Sequence, residues 1–325
     1  MSRRRAIPSC VRSAGVMEDW ATRRRAIEDS RYLVSRAGPY GRWRKLAFRA
    51  VVTVLGGTLR RTPVFARGRR NALDLRKVEL ELALPDLPPA FDGYRILQLS
   101  DTHLDHFPEL AQAARVLLDG VEVDMLAVTG DVHGHPRAPI EHSTGLLMEA
   151  LSGVRVRGPR LAVLGNHDPA AMVGTLERAG FDVLVNRSIL LQRGGDSLRV
   201  TGLDDVHSFY TEAALSALGD HDGEFRIALV HSAEVADDAD DAGYALYLCG
   251  HTHGGQICLP GGRPLVTHLK RCRHAASGLW RQGRMIGYTS RGLGVSDLPL
   301  RFNTRGEVVV ITLRRPAASS LSQRF

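Results

Sequence analysis

Five short apolar runs in this 325-residue chain end in the same way, each delivering a polar block of Asp, His or Asn. Residues 94–100 lead into Asp101-Thr-His103, residues 123–129 into Gly130-Asp131, and residues 160–164 into Gly165-Asn166-His167-Asp168. Farther on, residues 225–230 lead into His231, and residues 245–249 into Gly250-His251-Thr-His253. Apolar runs of this length, punctuated by Gly, Pro and Asp, read as strands. Residues 110–118 and 140–151, which lie between the early runs, read as helices, so strands alternate with helices and part of the sheet is expected to be parallel. Sites in such sheets form at the carboxyl ends of strands, which places five chain-distant blocks on one rim.

The chemistry of those blocks agrees with convergence. Asp101, His103, Asp131, Asn166, His231, His251 and His253 supply carboxylate, carboxamide and imidazole. This mixed oxygen and nitrogen set suits Mn, Fe or Zn and not Ca or a thiolate site. Seven side chains are too many for one ion. They suit two divalent ions about 3.5–4 Å apart, bridged by one carboxylate and by a water or hydroxide. His133 and His135, just past Asp131, are expected to be loop or pocket-wall residues. Cys258, His268, Cys272 and His274 match no standard zinc spacing.

Composition adds a polarity of charge along the chain. Residues 1–80 hold 20 Lys and Arg against 6 Asp and Glu, or +14, whereas the remaining 245 residues hold 23 against 29, or −6. A basic arm of residues 1–76 is therefore expected ahead of a mildly acidic catalytic domain over 77–315, with a tail at 316–325. The arginine triplets at 3–5 and 23–25 are followed by no apolar stretch of signal-peptide type. The best apolar run, residues 46–59, has 14 residues; as a helix it would span about 21 Å against a hydrocarbon core of about 30 Å. Flanked by arginines, it is expected to lie on an anionic membrane surface, the other reading being that it packs on its own body. Four cysteines without CxxC spacing make no disulfide framework, and a cytoplasmic location, peripheral to the membrane, is expected.

Taken in order, Asp101-x-His103, Gly130-Asp131, Gly165-Asn166-His167-Asp168, His231 and Gly250-His251-Thr-His253 resemble the five-block signature of the calcineurin-like metallophosphoesterases. Gly254-Gly255-Gln256 and Tyr288-Thr-Ser-Arg291-Gly292-Leu-Gly294 are similar to the bacterial branch of membrane-associated phosphodiesterases, which includes hydrolases of the lipid A precursor UDP-2,3-diacylglucosamine. The likeness covers residues 90–315. It implies an α/β fold, a four-layer αββα sandwich of two mixed sheets flanked by helices. It also implies that Asp101, His103, Asp131 and His253 hold one ion, and that Asp131, Asn166, His231 and His251 hold the other, Asp131 being shared. His167 would donate a hydrogen bond or proton at the phosphate, Asp168 would orient His167, and Arg291 and Gln256 would bind substrate. One departure is His231-Ser-Ala-Glu234, where relatives often carry proline after the histidine.

The activity so implied is hydrolysis of a phosphodiester or pyrophosphate by a hydroxide bridging the ions, on a lipid-linked or nucleotide-sugar phosphate. A divalent ion lowers the pKa of water from about 15.7 to about 7. Two other readings stay open: a silent scaffold that binds membrane or nucleic acid through its arm, and a nuclease of the same superfamily. No specific nucleic-acid partner is expected, because the basic charge lies in the arm and not around the cleft.

Overall fold

A computed structural model describes residues 14–33, 57, 60–219, 224–296 and 298–316. Two six-stranded sheets dominate it. The first contains β1 (Arg76–Ala83), β2 (Arg95–Leu99), β4 (Met125–Thr129), β6 (Arg160–Val163), β7 (Asp182–Val183) and β14 (Glu307–Arg314), in the order β1-β14-β2-β4-β6-β7. Within it β2, β4, β6 and β7 run parallel, and β14 pairs antiparallel with β2 and parallel with β1. The second contains β8 (Arg187–Arg193), β9 (Asp196–Gly202), β10 (Phe225–Leu229), β11 (Leu246–Cys249), β12 (Gly278–Gln282) and β13 (Met285–Thr289), in the order β12-β13-β11-β10-β9-β8. Its four central strands are parallel and its two outer ones antiparallel. The two-residue strands β3 (Glu122–Val123) and β5 (Arg155–Val156) pair with each other.

Side-chain alternation along these strands divides the interior into layers. Ile96, Met125, Ala127, Leu161 and Val163 of the first sheet meet Val200, Ile227, Leu229, Leu246 and Leu248 of the second in one core between the sheets. Their neighbours Leu97, Leu99, Leu126 and Val128 face the other way and are covered by α3 (Glu109–Leu118), α4 (Ile140–Ala150) and α5 (Met172–Arg178). Ala228, Val230, Tyr247 and Cys249 are covered in turn by α6 (Glu212–Leu218) and α7 (Ala236–Asp241). The result is the four-layer αββα sandwich of two mixed sheets. Strands buried on both faces carry near-continuous apolar runs, which is why β2, β4 and β11 show no polar alternation.

Among the described residues α1 (Ala14–Leu33) and α2 (Pro63–Leu73) precede the first strand. Thr62 caps α2 through its side chain and Pro63 opens it. Both pack on the sandwich. Ala72 of α2 is fully buried, Gly68 lies against Phe302 and Leu300, and Arg24 of α1 is only 2% exposed. Residue 76 therefore marks the start of the first strand and not a break in packing, so the charged segment ahead of it is partly built into the body. The apolar run 46–59 lies outside the described residues apart from Gly57. Among the described residues no helix is long and apolar enough to cross a membrane.

Candidate metal centre

The loops after β2, β4, β6, β10 and β11 leave the two sheets at one shared rim. Asp101 and His103 follow β2, Asp131 follows β4, Asn166 and His167 follow β6, His231 follows β10, and His251 and His253 follow β11. Asp101, His103, Asp131, His251 and His253 all have positive φ, between 36° and 73°. Left-handed backbone is uncommon for residues with a Cβ and costs about 1–3 kcal/mol where the surroundings impose it. Five such residues at one rim mean that turns here are shaped to aim side chains. Close approach of backbone completes the packing: a Cβ at Gly165 would collide with Asp131, and one at Gly250 with Ser100 and Asp101.

Asp131 sits at the middle of the cluster. Its Oδ2 lies 3.4 Å from His103 Nε2 and 3.3 Å from His231 Nε2, and its Oδ1 accepts the His167 backbone N–H at 2.8 Å. Asp101 Oδ1 is 3.6 Å from His253 Nε2, and its Oδ2 accepts from Ser100 Oγ at 2.6 Å and from the His251 N–H at 2.9 Å. Asn166 Oδ1 and His251 Nδ1 lie 3.1 and 3.3 Å from His231 Nε2. Two sets, Asp101 with His103 and His253, and Asp101 with Asp131 and His231, keep their donor atoms within 4.8 Å of one another. All seven expected ligands are thus brought together.

The donor set fits divalent metal on its own chemistry. His103 Nδ1 meets the His133 carbonyl at 3.0 Å and His231 Nδ1 meets the Thr129 carbonyl at 2.9 Å, contacts in which only the ring N–H can donate. Each ring is thereby set with its Nε2 turned into the cluster, the orientation typical of ligating histidine. His103 Nε2, His251 Nε2 and His253 Nδ1 are buried without a hydrogen-bond partner. Buried polar atoms left this way cost about 1–3 kcal/mol each, and at His103 the nitrogen so left is the one that faces Asp131. Burial, reinforced by His231 beside His251 and by His103 beside His253, holds both of these imidazoles well below the usual histidine range, so they are neutral. Burial opposes ionisation of Asp131 too, yet His231 and His167 keep its carboxyl well below the usual range; reciprocally, the Asp131 carboxylate overcomes burial and raises His231 well above its ordinary value.

Two of the expected roles differ in the structure. Asp168 does not orient the His167 ring. Its Oδ2 accepts the N–H groups of Asp131 and Gly165, both at 2.8 Å, and its Oδ1 accepts that of His133 at 2.8 Å. A buried carboxylate surrounded by three amides is saturated by them, so Asp168 ties the loop after β6 to the loop after β4. Gln256 does not face a pocket with its amide: Nε2 donates to the Ser296 and Leu298 carbonyls, both at 2.9 Å, and Oε1 accepts the Ser296 N–H at 2.7 Å. Arg291 donates to Glu307 at 2.7 Å while its side chain stays 39% exposed, and its stem runs against Gly254, next to His253. His167 is exposed, with its ring edge-on to His103 at 5.1 Å between centroids. Where proline was missing after His231, Glu234 accepts from His207 Nδ1 and the Lys270 N–H, both at 3.1 Å, which anchors that loop.

Other residues at the site escaped sequence reasoning. His207 packs at a tilt against His251 with 4.2 Å between ring centroids. A signal for it existed: residues 196–202 alternate polar and apolar like a half-buried strand and lead, after Leu203, into the polar block Asp204-Asp205-Val-His207. Arg301, fully buried, donates to the carbonyls of His253, Arg291, Gly292 and Gly294 and so fixes the last ligand loop. Nothing in its local sequence marks it.

A cluster of buried carboxylates and lone-pair imidazoles, presented at the carboxyl ends of two facing sheets, defines a metal-dependent hydrolase. The chain belongs to the calcineurin-like phosphoesterase family, whose match covers residues 94–255; it is a metallophosphoesterase. It is 33% identical over 239 residues to the uncharacterized metallophosphoesterase YkuE of Bacillus subtilis, covering 70% of this chain and 82% of that one. It is 28% identical to YkoQ of the same organism, over 76% of this chain and 93% of the relative. It is also 28% identical to the phosphodiesterase YaeI of Escherichia coli, over 68% of this chain and 82% of the relative.

Proposed function

We propose that this chain hydrolyses a phosphodiester or pyrophosphate bond with two divalent ions. Asp101, His103, Asp131 and His253 would hold one, and Asp131, Asn166, His231 and His251 would hold the other. The observation that carries this reading is the placement of Asp131 Oδ2 between His103 and His231, with both rings turned by a carbonyl so that Nε2 points at that oxygen. Ions held there supply positive charge to the phosphoryl oxygens and acidify water near neutral pH. The chain's own residues do the rest. His167, exposed at the mouth, protonates the departing oxygen; Arg291 binds an oxygen of the substrate from beside Gly254. Asp168 keeps the loops of Asp131 and Asn166 in register by its amide contacts.

For substrate, the reading is a lipid-linked or nucleotide-sugar phosphate such as UDP-2,3-diacylglucosamine, met at an anionic membrane surface. It is supported by the concentration of basic charge ahead of residue 80 and the mildly acidic body. The test is hydrolysis of bis-p-nitrophenyl phosphate by the whole chain with Mn(II), abolished by chelator and restored by Mn(II). A mass-spectrometric screen against UDP-diacylglucosamine, cyclic dinucleotides and phospholipids then follows. Metal-independent turnover sinks the mechanism; turnover of cyclic dinucleotides alone sinks the lipid-linked substrate.

A further inference from the structure

Arg23, Arg24 and Arg25 look alike in the sequence but not in space. Arg23 and Arg25 are exposed on α1, and Arg23 pairs with Asp19 one turn away. Arg24 is 2% exposed and points into the body, stacked 3.8 Å over the Phe209 ring. Its Nη2 donates to the carbonyls of Gly165 at 2.9 Å and Asp168 at 2.6 Å, and its Nη1 pairs with Asp204. The same helix makes two more contacts there. Glu28 Oε1 accepts the Ala170 N–H at 2.8 Å and the Arg24 Nε–H at 3.2 Å, and Trp20 Nε1 donates to Asp204 Oδ2 at 2.7 Å.

Gly165 and Asp168 bracket Asn166 and His167. Their two carbonyls converge on Nη2 while Nη1 pairs with Asp204 and Nε donates to Glu28, so all three nitrogens of a planar fork are engaged, which one lysine ammonium does not reproduce. From the opposite side, the Asp168 carboxylate holds the amides of Asp131, His133 and Gly165. The loop is thus pinned on one face by the loop of Asp131 and on the other by a helix about 140 residues earlier in the chain. We propose that Arg24 is a positioning residue that sets Asn166 and His167, and that the charged N-terminal segment thereby completes the metal centre. The proposal rests on the two-ion reading above.

The experiment is Mn(II) titration of the whole chain, with stoichiometry by equilibrium dialysis and coupling between the ions by electron paramagnetic resonance. Wild type is compared with Arg24→Ala, Arg24→Lys, Asp131→Asn and, from the same triplet, Arg25→Ala; folding is checked by circular dichroism. Two coupled Mn(II) are expected in wild type and Arg25→Ala. In Arg24→Lys, one Mn(II) should bind normally and the other about 10- to 100-fold more weakly, with the coupled spectrum replaced by that of an isolated ion. The kcat should fall more than KM rises. Arg24→Lys that binds both ions like wild type overturns the proposal. So does loss of fold by both Arg24 variants, which would make the residue a general stabiliser. Wild type binding fewer than two ions, or Asp131→Asn binding both unchanged, instead overturns the two-ion reading on which the proposal stands.

Discussion

Replacing Asp131 by Asn removes one negative charge and almost nothing else. The side chain is 2% exposed, and Asn can still offer an oxygen to the His167 N–H that Oδ1 accepts at 2.8 Å. What changes is the face that Oδ2 presents to His103 and His231 at 3.4 and 3.3 Å. At an effective dielectric of about 20, unit charges that close interact by about 5 kcal/mol. Removing one partner of a buried charge pair costs about 3–5 kcal/mol. At about 1.4 kcal/mol per tenfold, Asp131→Asn should weaken metal binding about 100- to 5,000-fold. The amide also turns its N–H₂ toward ring nitrogens that already carry lone pairs for a cation, or else turns its oxygen there and loses the His167 amide. Mn(II) retained after dialysis at fixed free concentration, measured by inductively coupled plasma mass spectrometry, reads the effect directly. Hydrolysis of bis-p-nitrophenyl phosphate should fall with metal content and recover only at high Mn(II). If Asp131→Asn keeps two ions at the wild-type free concentration, the shared carboxylate is misassigned.

His167→Ala should behave in the opposite way: the backbone N–H to Asp131 survives and the lost ring is exposed, so Mn(II) content stays near wild type while kcat drops about 100- to 10,000-fold. An empty site in purified His167→Ala would contradict that division of labour. Gly250→Ala forces a methyl against Ser100 and Asp101; overpacking of about 1–3 kcal/mol should lower the melting temperature of the metal-free protein by about 2–4 °C per kcal/mol, and an unchanged melt counts against the close approach. Metal uptake should release protons and tighten as pH rises. His231 is raised well above its ordinary value by Asp131 and must lose its proton to ligate, whereas His251 and His253, held well below theirs, are already neutral and contribute nothing to the slope. A pH-stat record of Mn(II) addition with no acid released, or affinity that falls from pH 6.5 to 8, would run against this sign.

Much of the fold could be read along the chain because each central strand is buried on both faces. Residues 94–100, 160–164 and 225–230 were expected as strands, and β2, β6 and β10 occupy them; residues 110–118 and 140–151 became α3 and α4 to within a residue. The convergence of Asp101, His103, Asp131, Asn166, His231, His251 and His253 was legible for a related reason. A buried strand must end somewhere, and a polar block at its carboxyl end has nowhere to go but the rim. Roles that depend on a partner far away in the chain were not legible. Asp168 reads as the neighbour of His167, but three amides from the loops after β4 and β6 reach its oxygens first. Gln256 reads as a pocket residue, yet its amide is consumed by the backbone at 296 and 298.

The sequence by itself determined which polar side chains meet at the rim and the strand ends that deliver them, because hydrophobic periodicity and strand direction are local properties that any parallel sheet must respect. Only the tertiary structure decided that the N-terminal segment belongs to the centre. An arginine in a charged helix is worth the same to the local pattern whether it faces water or a buried carbonyl pair. Its role is set by the distance from Arg24 to Gly165 and Asp168, which are separated from it by more than 140 residues of intervening chain.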